Sequence, residues 1–396
     1  MQDAVIVDAV RSPMGRGKQG GVLSQLHPVE LLAQTLRGLL ARSDIDPAEV
    51  DDFIVGCVMQ VGEQSAGVGR MAWLAAGLPV EVPASTVERK CGSSQQAVHF
   101  AAQGIQAGAY DIVVVAGVES MSRIPMGTSA LGADPIGPSV TARFAPGLVS
   151  QGIAAELVAA KWNLGRLELD EYAAASQQRA AECAERGDFS SEIVPIHASL
   201  DGRDTVVVDD ETIRPATTVE GLSKLPAVFA DDEAGRRFPE ISWAVTAGNS
   251  SQLADGASAM LLMSASRAAQ LNLRPRARVH ATAVVGDDPI LMLAGPIAAT
   301  EKVLDRGGLT VARLDHVEVN EAFASVPLAW QREFDMNPYL LNPRGGAIAL
   351  GHPLGASGCR LATTMINALE ATGGRYGLQS MCEAGGMANA MIIERI

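Results

Sequence analysis

The sequence predicts a layered α/β protein whose core is a duplicated unit interrupted by one long excursion. Three observations lead there. Short Val/Ile-rich runs alternate with Ala-rich amphipathic stretches, as strands and helices do when they stack around a largely buried sheet. Two stretches in the first third of the chain recur, in the same order, near its end. Between the two copies lies a region rich in Ser, Gly, Pro and charge, with little strand pattern.

Ala4–Ala9 reads as a strand that begins almost at once, with no basic and apolar leader before it, so no signal peptide is expected. Pro28–Ala41 reads as a helix, with Pro28 a favourable first helical residue after His27. Asp52–Cys57 and Asp111–Ala116 are apolar runs of strand length. Ser94–Ala107 and Ala356–Ala371 carry helical periodicity. The segment Ala41–Val55 matches Asp305–Val319: Arg, Ala and Asp coincide, and each segment is a helix end, a short loop and a strand. Cys91–Gly117 and Gly355–Gly386 both give a small-residue turn, a helix, a break and a strand. The expected division is a first core half at 1–121, continued by 242–271, a second half at 272–396, and an inserted region at 122–241. The insertion carries a helix pair, Ile153–Leu164 and Glu168–Arg186, and Ala230–Glu240 reads as a polar surface loop.

Composition removes several function classes. With 47% hydrophobic and 19% charged residues, the 396-residue chain is foldable and not disordered. Its 40 glycines and 20 prolines follow no three-residue period, which excludes collagen. A net charge of −14 and 4% aromatics argue against a nucleic-acid partner. An anionic ligand would need a local basic patch or backbone N–H groups. The five cysteines are scattered, with no C-x-x-C and no Cys/His cluster, so neither a disulfide framework nor a metal site is expected. A reducing, cytoplasmic setting fits that usage. The longest apolar runs, such as Ile112–Val118, are too short to span a bilayer, and no membrane partner is expected.

Gly15-Arg-Gly17-Lys-Gln-Gly20 matches a dinucleotide fingerprint in form only. No helix opens at these glycines, and Leu40 stands where an acidic residue is needed. Cys91, in Glu88-Arg-Lys-Cys91-Gly-Ser-Ser, lies between an extended stretch and a helix start. Backbone N–H groups and the positive helix end there favour a thiolate and can hold an oxyanion, with Lys90 a further source of positive charge. A lone cysteine is equally often a buried structural residue. His352, in Gly351-His-Pro-Leu-Gly-Ala-Ser-Gly358, sits in a rigid glycine loop where an imidazole can be held to deprotonate a thiol, against the alternative of an ordinary turn histidine. Cys382 ends a strand before Glu383-Ala-Gly-Gly and suits an acid/base thiol tuned towards neutrality. Cys57 and Cys183 read as structural, and Cys359 is ambiguous. In Asn320-Glu-Ala-Phe-Ala, Asn320 can hold a water and Glu321 orient a neighbour, or either can cap a helix.

Taken in order, Cys91-Gly-Ser, Ile213-Arg-Pro-Ala-Thr-Thr, Thr246-Ala-Gly-Asn-Ser-Ser, Asn-Glu-Ala-Phe-Ala, Gly-His-Pro-Leu-Gly-Ala-Ser-Gly and Cys382-x-x-Gly-Gly resemble the thiolase family over essentially the whole chain. The resemblance implies two βαβαβαββ halves with a loop domain inserted in the first. It implies thiolytic cleavage of a 3-ketoacyl-CoA through an acyl-Cys91 intermediate, with His352 as base and Cys382 as proton donor to carbon. It places one oxyanion site at His352 and a water on Asn320, and a second at the backbone of Cys91 and the Ala384–Gly385 turn. Met292 and Phe323 would line the acyl end, and Arg214 and Ser251 would contact CoA; a surface salt bridge is the other reading of Arg214. No resident cofactor or metal is implied, only acyl-CoA and CoA, in a homodimer or homotetramer. Three departures stand out. Ala384 replaces a usual Gly and would be strained if that position needs positive φ. Ser94 replaces a frequent Gly. Ser150-Gln151-Gly152 replaces the His-Met-Gly of acetoacetyl-CoA-specific members, which favours a degradative enzyme with a longer or bulkier acyl group. A biosynthetic condensing thiolase, or a silent lipid-binding relative, is the alternative. A ketoacyl synthase would lack Cys382.

Overall fold

Side-chain alternation along the strands sorts the core into three apolar layers, and the sheet follows from that sorting. The computed structural model describes residues 2–200 and 202–396. Its strands are β1 (Ala4–Arg11), β2 (Gly15–Arg16), β3 (Asp52–Gly56), β4 (Ala84–Val87), β5 (Ile112–Ser120), β6 (Ile196–Leu200), β7 (Arg203–Val207), β8 (Ala254–Ser264), β9 (Ala277–Gly286), β10 (His316–Val319), β11 (Tyr376–Glu383) and β12 (Met387–Arg395). Ten of them form one sheet in the order β10-β11-β12-β9-β1-β8-β5-β3-β4, with β2 against β8. The sheet is mixed: β3 is parallel to β4 and β5, β10 is parallel to β11, and the pairings of β5, β1 and β8 and of β11, β12 and β9 are antiparallel.

The duplication is visible in the register. The short 3-10 turn at Pro47, the strand at Asp52, the helix at Ser93 and the strand at Ile112 have counterparts beginning at Val311, His316, Ser357 and Tyr376, all at one constant spacing. Strand pairing repeats at the same spacing: Asp52 faces Val113 and His316 faces Gly377. The halves meet between β1 and β9 through only two residue pairs, Val5–Arg278 and Ile6–Ala277. Their cohesion comes instead from the helices Ser93–Ala107 and Ser357–Thr372, which pack together in a central layer. There Ala97, Ala101 and Ile105 join Ala362, Met365 and Ile366 and the inner faces of both halves. The outer face of the first half is covered by Pro28–Ala41 and Val68–Ala75, that of the second by Gly295–Gly307 and Ser325–Phe334.

The excursion differs in detail from its sequence reading. The helix pair is present as Gln151–Lys161 and Arg166–Glu185. The β6–β7 hairpin was not expected; its exposed strand Arg203–Val207 is polar for three of five residues and offers little alternation to read. Asp232–Arg237, inside the expected loop, is a short, largely exposed helix capped by Asp231. Buried Arg11 ties the excursion to β1 by pairing with Glu192 at 2.6 Å and Asp210 at 2.7 Å. Gly15–Arg16 forms a strand and no helix starts before Pro28, in line with discarding the dinucleotide fingerprint. No helix among the described residues is long and apolar enough to cross a membrane.

Candidate active site

The two central helices begin close together, and the candidate site is built from the segments that lead into them. In the first half the chain leaves β4, turns at Lys90 with φ 46°, passes Cys91 and enters the helix at Ser93 through Gly92. Ser93 staples this turn. Its hydroxyl donates to the Lys90 carbonyl at 2.6 Å and accepts from the Arg89 N–H at 2.9 Å. In the second half His352, Pro353 and a short 3-10 turn lead to Ser357.

Cys91, His352, Cys382 and Asn320 are all buried. Asn320 follows β10, lies beside the Cys382 thiol, and places Nδ2 3.4 Å from His352 Nε2. Cys91 is near enough to Cys382 to feel its charge, and it shares an apolar wall with Leu354 and Met381. The protons on His352 follow from its neighbour. The Ser357 hydroxyl donates to the Pro353 carbonyl at 2.9 Å, so it can only accept from His352 Nδ1 at 2.6 Å. Nδ1 therefore carries the proton, and Nε2 presents its lone pair towards Asn320.

Burial dominates the electrostatics. Cys91 is pushed well above the ordinary thiol range by desolvation, then by Cys382 and Glu383. Cys382 is pushed up to about 12 by desolvation, against the opposing effect of the neighbouring Asn320. His352 is lowered to about 3 by desolvation and by the Arg360 cation. The resting site thus holds two neutral thiols and a neutral imidazole. This corrects the expectation of a resting thiolate at Cys91 and a near-neutral Cys382: desolvation outweighs the helix N-terminus. Lys90 does not alter this, because it is half-buried and pairs with Glu88 at 3.2 Å.

Two buried carboxylates clamp the His352 loop: Glu321, expected as a residue that orients a neighbour, and Glu119, which sequence reasoning does not single out. Glu321 accepts from Tyr172 OH at 2.9 Å, Ser176 Oγ at 2.7 Å, Asn342 Nδ2 at 3.1 Å and the Ile348 N–H at 3.1 Å. Any Cβ at Gly346 would overlap that carboxylate. Glu119, on β5, accepts from the N–H groups of Val58, Met59 and Gly355 and from Gln64. Gln252 adds a third support by accepting the His352 N–H at its carbonyl, 2.9 Å away.

The remaining expected residues divide. Met292, Phe323, Cys382 and half-buried Ala384 belong to one apolar cluster. Phe323 packs edge-on against Phe229 at 5.8 Å, and the Phe229 ring occupies the space a Cβ at Gly152 would need. In the β11–β12 turn, positive φ falls on Gly385 and Gly386 and not on Ala384, so Ala384 is unstrained. Ser94 accepts the Cys359 N–H at 3.0 Å and joins the starts of the two central helices, while Cys359 is buried in the central layer. Arg214 is exposed and forms no ion pair among the described residues, which removes the salt-bridge reading. Its backbone N–H donates to Gln177 Oε1 at 2.7 Å, and Ser251 is half-buried, its N–H on the Ala322 carbonyl.

Comparison with known proteins agrees with this architecture. Residues 4–266 match the model of the thiolase N-terminal domain, and residues 273–395 that of the thiolase C-terminal domain. The steroid 3-ketoacyl-CoA thiolase FadA6 of Mycobacterium tuberculosis is 46% identical over 404 residues, covering 100% of this chain and 95% of that protein. A 3-ketoacyl-CoA thiolase of Pseudoalteromonas translucida is 45% identical over 401 residues, covering both chains fully. The crystal structure of the Bacillus anthracis acetyl-CoA acetyltransferase superposes with a TM-score of 0.89 at 34% identity, covering 100% of this chain and 99% of that one.

Proposed function

The chain belongs to the thiolase family, and from that premise we propose that it cleaves a 3-ketoacyl-CoA with CoA, in the degradative direction. The observation that carries the reading is the buried series in which Cys91 neighbours Cys382, Cys382 neighbours Asn320, and Asn320 lies 3.4 Å from His352. Cys91 Sγ attacks the 3-keto carbon while His352 Nε2 takes the thiol proton. The Cα–Cβ bond breaks, the acyl group stays on Cys91 as a thioester, and the electron pair leaves as an acetyl-CoA enolate. The Cys382 thiol protonates that carbon. A thiol at about 12 still delivers its proton downhill, because the enolate carbon is far more basic. The Cys382 thiolate then takes the proton of incoming CoA, whose thiolate removes the acyl group. Cys91 recovers its own proton from His352.

Two oxyanion sites serve these steps. His352 and Asn320 face the enolate oxygen, and the backbone N–H groups of Cys91 and of the Ala384–Gly385 turn face the oxygen of the acyl thioester. One such donor is typically worth roughly 3–4 kcal/mol of barrier. Met292 and Phe323 form the acyl end, and the steroid-thiolase relative supports a bulky acyl group. Unpaired Arg214 is the first candidate for a CoA phosphate, with Ser251 beside the pantetheine arm. CoA is a co-substrate and not a resident cofactor. The reading also carries a cytoplasmic homodimer or homotetramer, with residues 122–241 as the inserted domain of the first half. A panel of 3-ketoacyl-CoA esters, from acetoacetyl-CoA to long-chain and steroid side-chain esters, tests the function. Acetyl-CoA release on adding CoA is expected, fastest with bulky chains. No release from any ester by folded protein overturns the reading, and turnover of acetoacetyl-CoA alone would favour the condensing enzyme.

A further inference from the structure

The duplicated halves treat one equivalent pair of buried carboxyl groups differently. Glu119 and Glu383 are each the eighth residue of their strand, in β5 and β11. Each faces the helix entry of the opposite half. Ser258 and Asn389, which stand across the sheet from the equivalent residues Gly117 and Met381, confirm the match. Ser258 Oγ donates to the Ala356 carbonyl at 2.7 Å, and Asn389 Nδ2 to the Gly92 carbonyl at 3.0 Å. Ala356 and Gly92 are the two helix N-caps.

Here the equivalence ends. Glu119 accepts the N–H of Gly355, the residue before its N-cap, at 2.9 Å. The equivalent bond would run from the Cys91 N–H to Glu383, and it is not made. Among the described residues the Cys91 N–H donates to no other residue, and it lies against its own thiol. Both Glu383 oxygens are buried and unpartnered, as is Asn389 Oδ1. Two of these acceptors crowd Gly92: a Cβ there would overlap Glu383 Oε1 and stand 2.7 Å from Asn389 Oδ1. Buried acceptors without a donor among the described residues call for a proton, and a neutral Glu383 supplies one.

We propose that Glu383 gates the second oxyanion site: protonated, it leaves the Cys91 N–H free for the acyl oxygen, and ionised, it captures that N–H as Glu119 captures the N–H of Gly355. Glu383 is thus a positioning residue that acts through the Cys91 backbone, and the inference rests on the function proposed above. The charged or titratable groups around it are Glu88, Arg89, Cys91 and Cys382, with Lys90 turned away to Glu88. Arg89 favours ionisation but forms no ion pair with Glu383 among the described residues. Desolvation prevails and raises the carboxyl to about 8, so the gate closes on the alkaline side of neutrality.

The test compares two reactions of Cys91 between pH 6.5 and 9.5, each followed by intact mass and peptide mapping. Acylation by acetyl-CoA needs the oxyanion site, whereas alkylation by iodoacetamide does not. In the wild type the ratio of acylation to alkylation should fall about tenfold per pH unit once Glu383 ionises. In Glu383→Gln the ratio should stay flat. A merely structural role would lower both rates without bending the ratio. A flat wild-type ratio overturns the gate even if the variant does not fold, and so does a break retained in Glu383→Gln. Alkylation without acylation at any pH would sink the proposed function together with the gate; acylation with a flat ratio would sink the gate alone.

Discussion

A single hydroxyl decides which nitrogen of His352 can accept a proton. Ser357 holds Nδ1–H, and when Nε2 takes the Cys91 proton the same bond becomes charge-assisted. Hydrogen bonds to charged groups are worth about 1.5–3 kcal/mol. Ser357→Ala should therefore lower kcat/KM roughly 10- to 100-fold with little change in Tm, and steady-state kinetics beside a thermal melt would show it. A second prediction concerns Glu383. Its carboxyl is raised on folding, so the stability it contributes is present at low pH and is lost as pH rises through about 8. Between pH 6.5 and 8.5 the wild type should lose on the order of 2 kcal/mol that Glu383→Gln does not lose. Parallel denaturant melts at the two pH values measure the difference.

At the scale of elements, the His352 loop shows what a sequence reveals and what it withholds. The glycines of Gly345–Gly358 announce a rigid turn, and Cys91, Cys382 and Asn320 are legible because each stands at a strand end or helix start with small neighbours. The Glu119 clamp is not legible. Glu119 is an acid at the end of an apolar strand, and its partner Gly355 lies 236 residues away, so no local pattern joins them. Charge state is hidden for a related reason: helix position is visible in sequence, but the depth of burial that overrides it is not. Glu321→Ala would leave Tyr172, Ser176, Asn342 and Ile348 without their shared acceptor. A loss of about 3 kcal/mol or more is expected. Hydrogen exchange should rise locally across 345–352, and activity should fall even where the protein remains folded.

For the whole molecule, the central helix layer matters more than the continuous sheet. β1 and β9 join through two residue pairs, whereas Ala97, Ala101 and Ile105 on one central helix face Ala362, Met365 and Ile366 on the other. A chain ending at residue 271 would expose that apolar face. It should show no cooperative thermal transition by circular dichroism, while the full chain melts in one step. A sharp independent melt of the truncated chain would refute a shared core. The internal repeat has one more use. Because the two halves carry matching positions, every substitution at the working helix entry has a counterpart inside the same polypeptide. Glu119→Gln beside Glu383→Gln, or Ser258→Ala beside Asn389→Ala, compares what each of the two helix entries demands of the same position without recourse to a second protein.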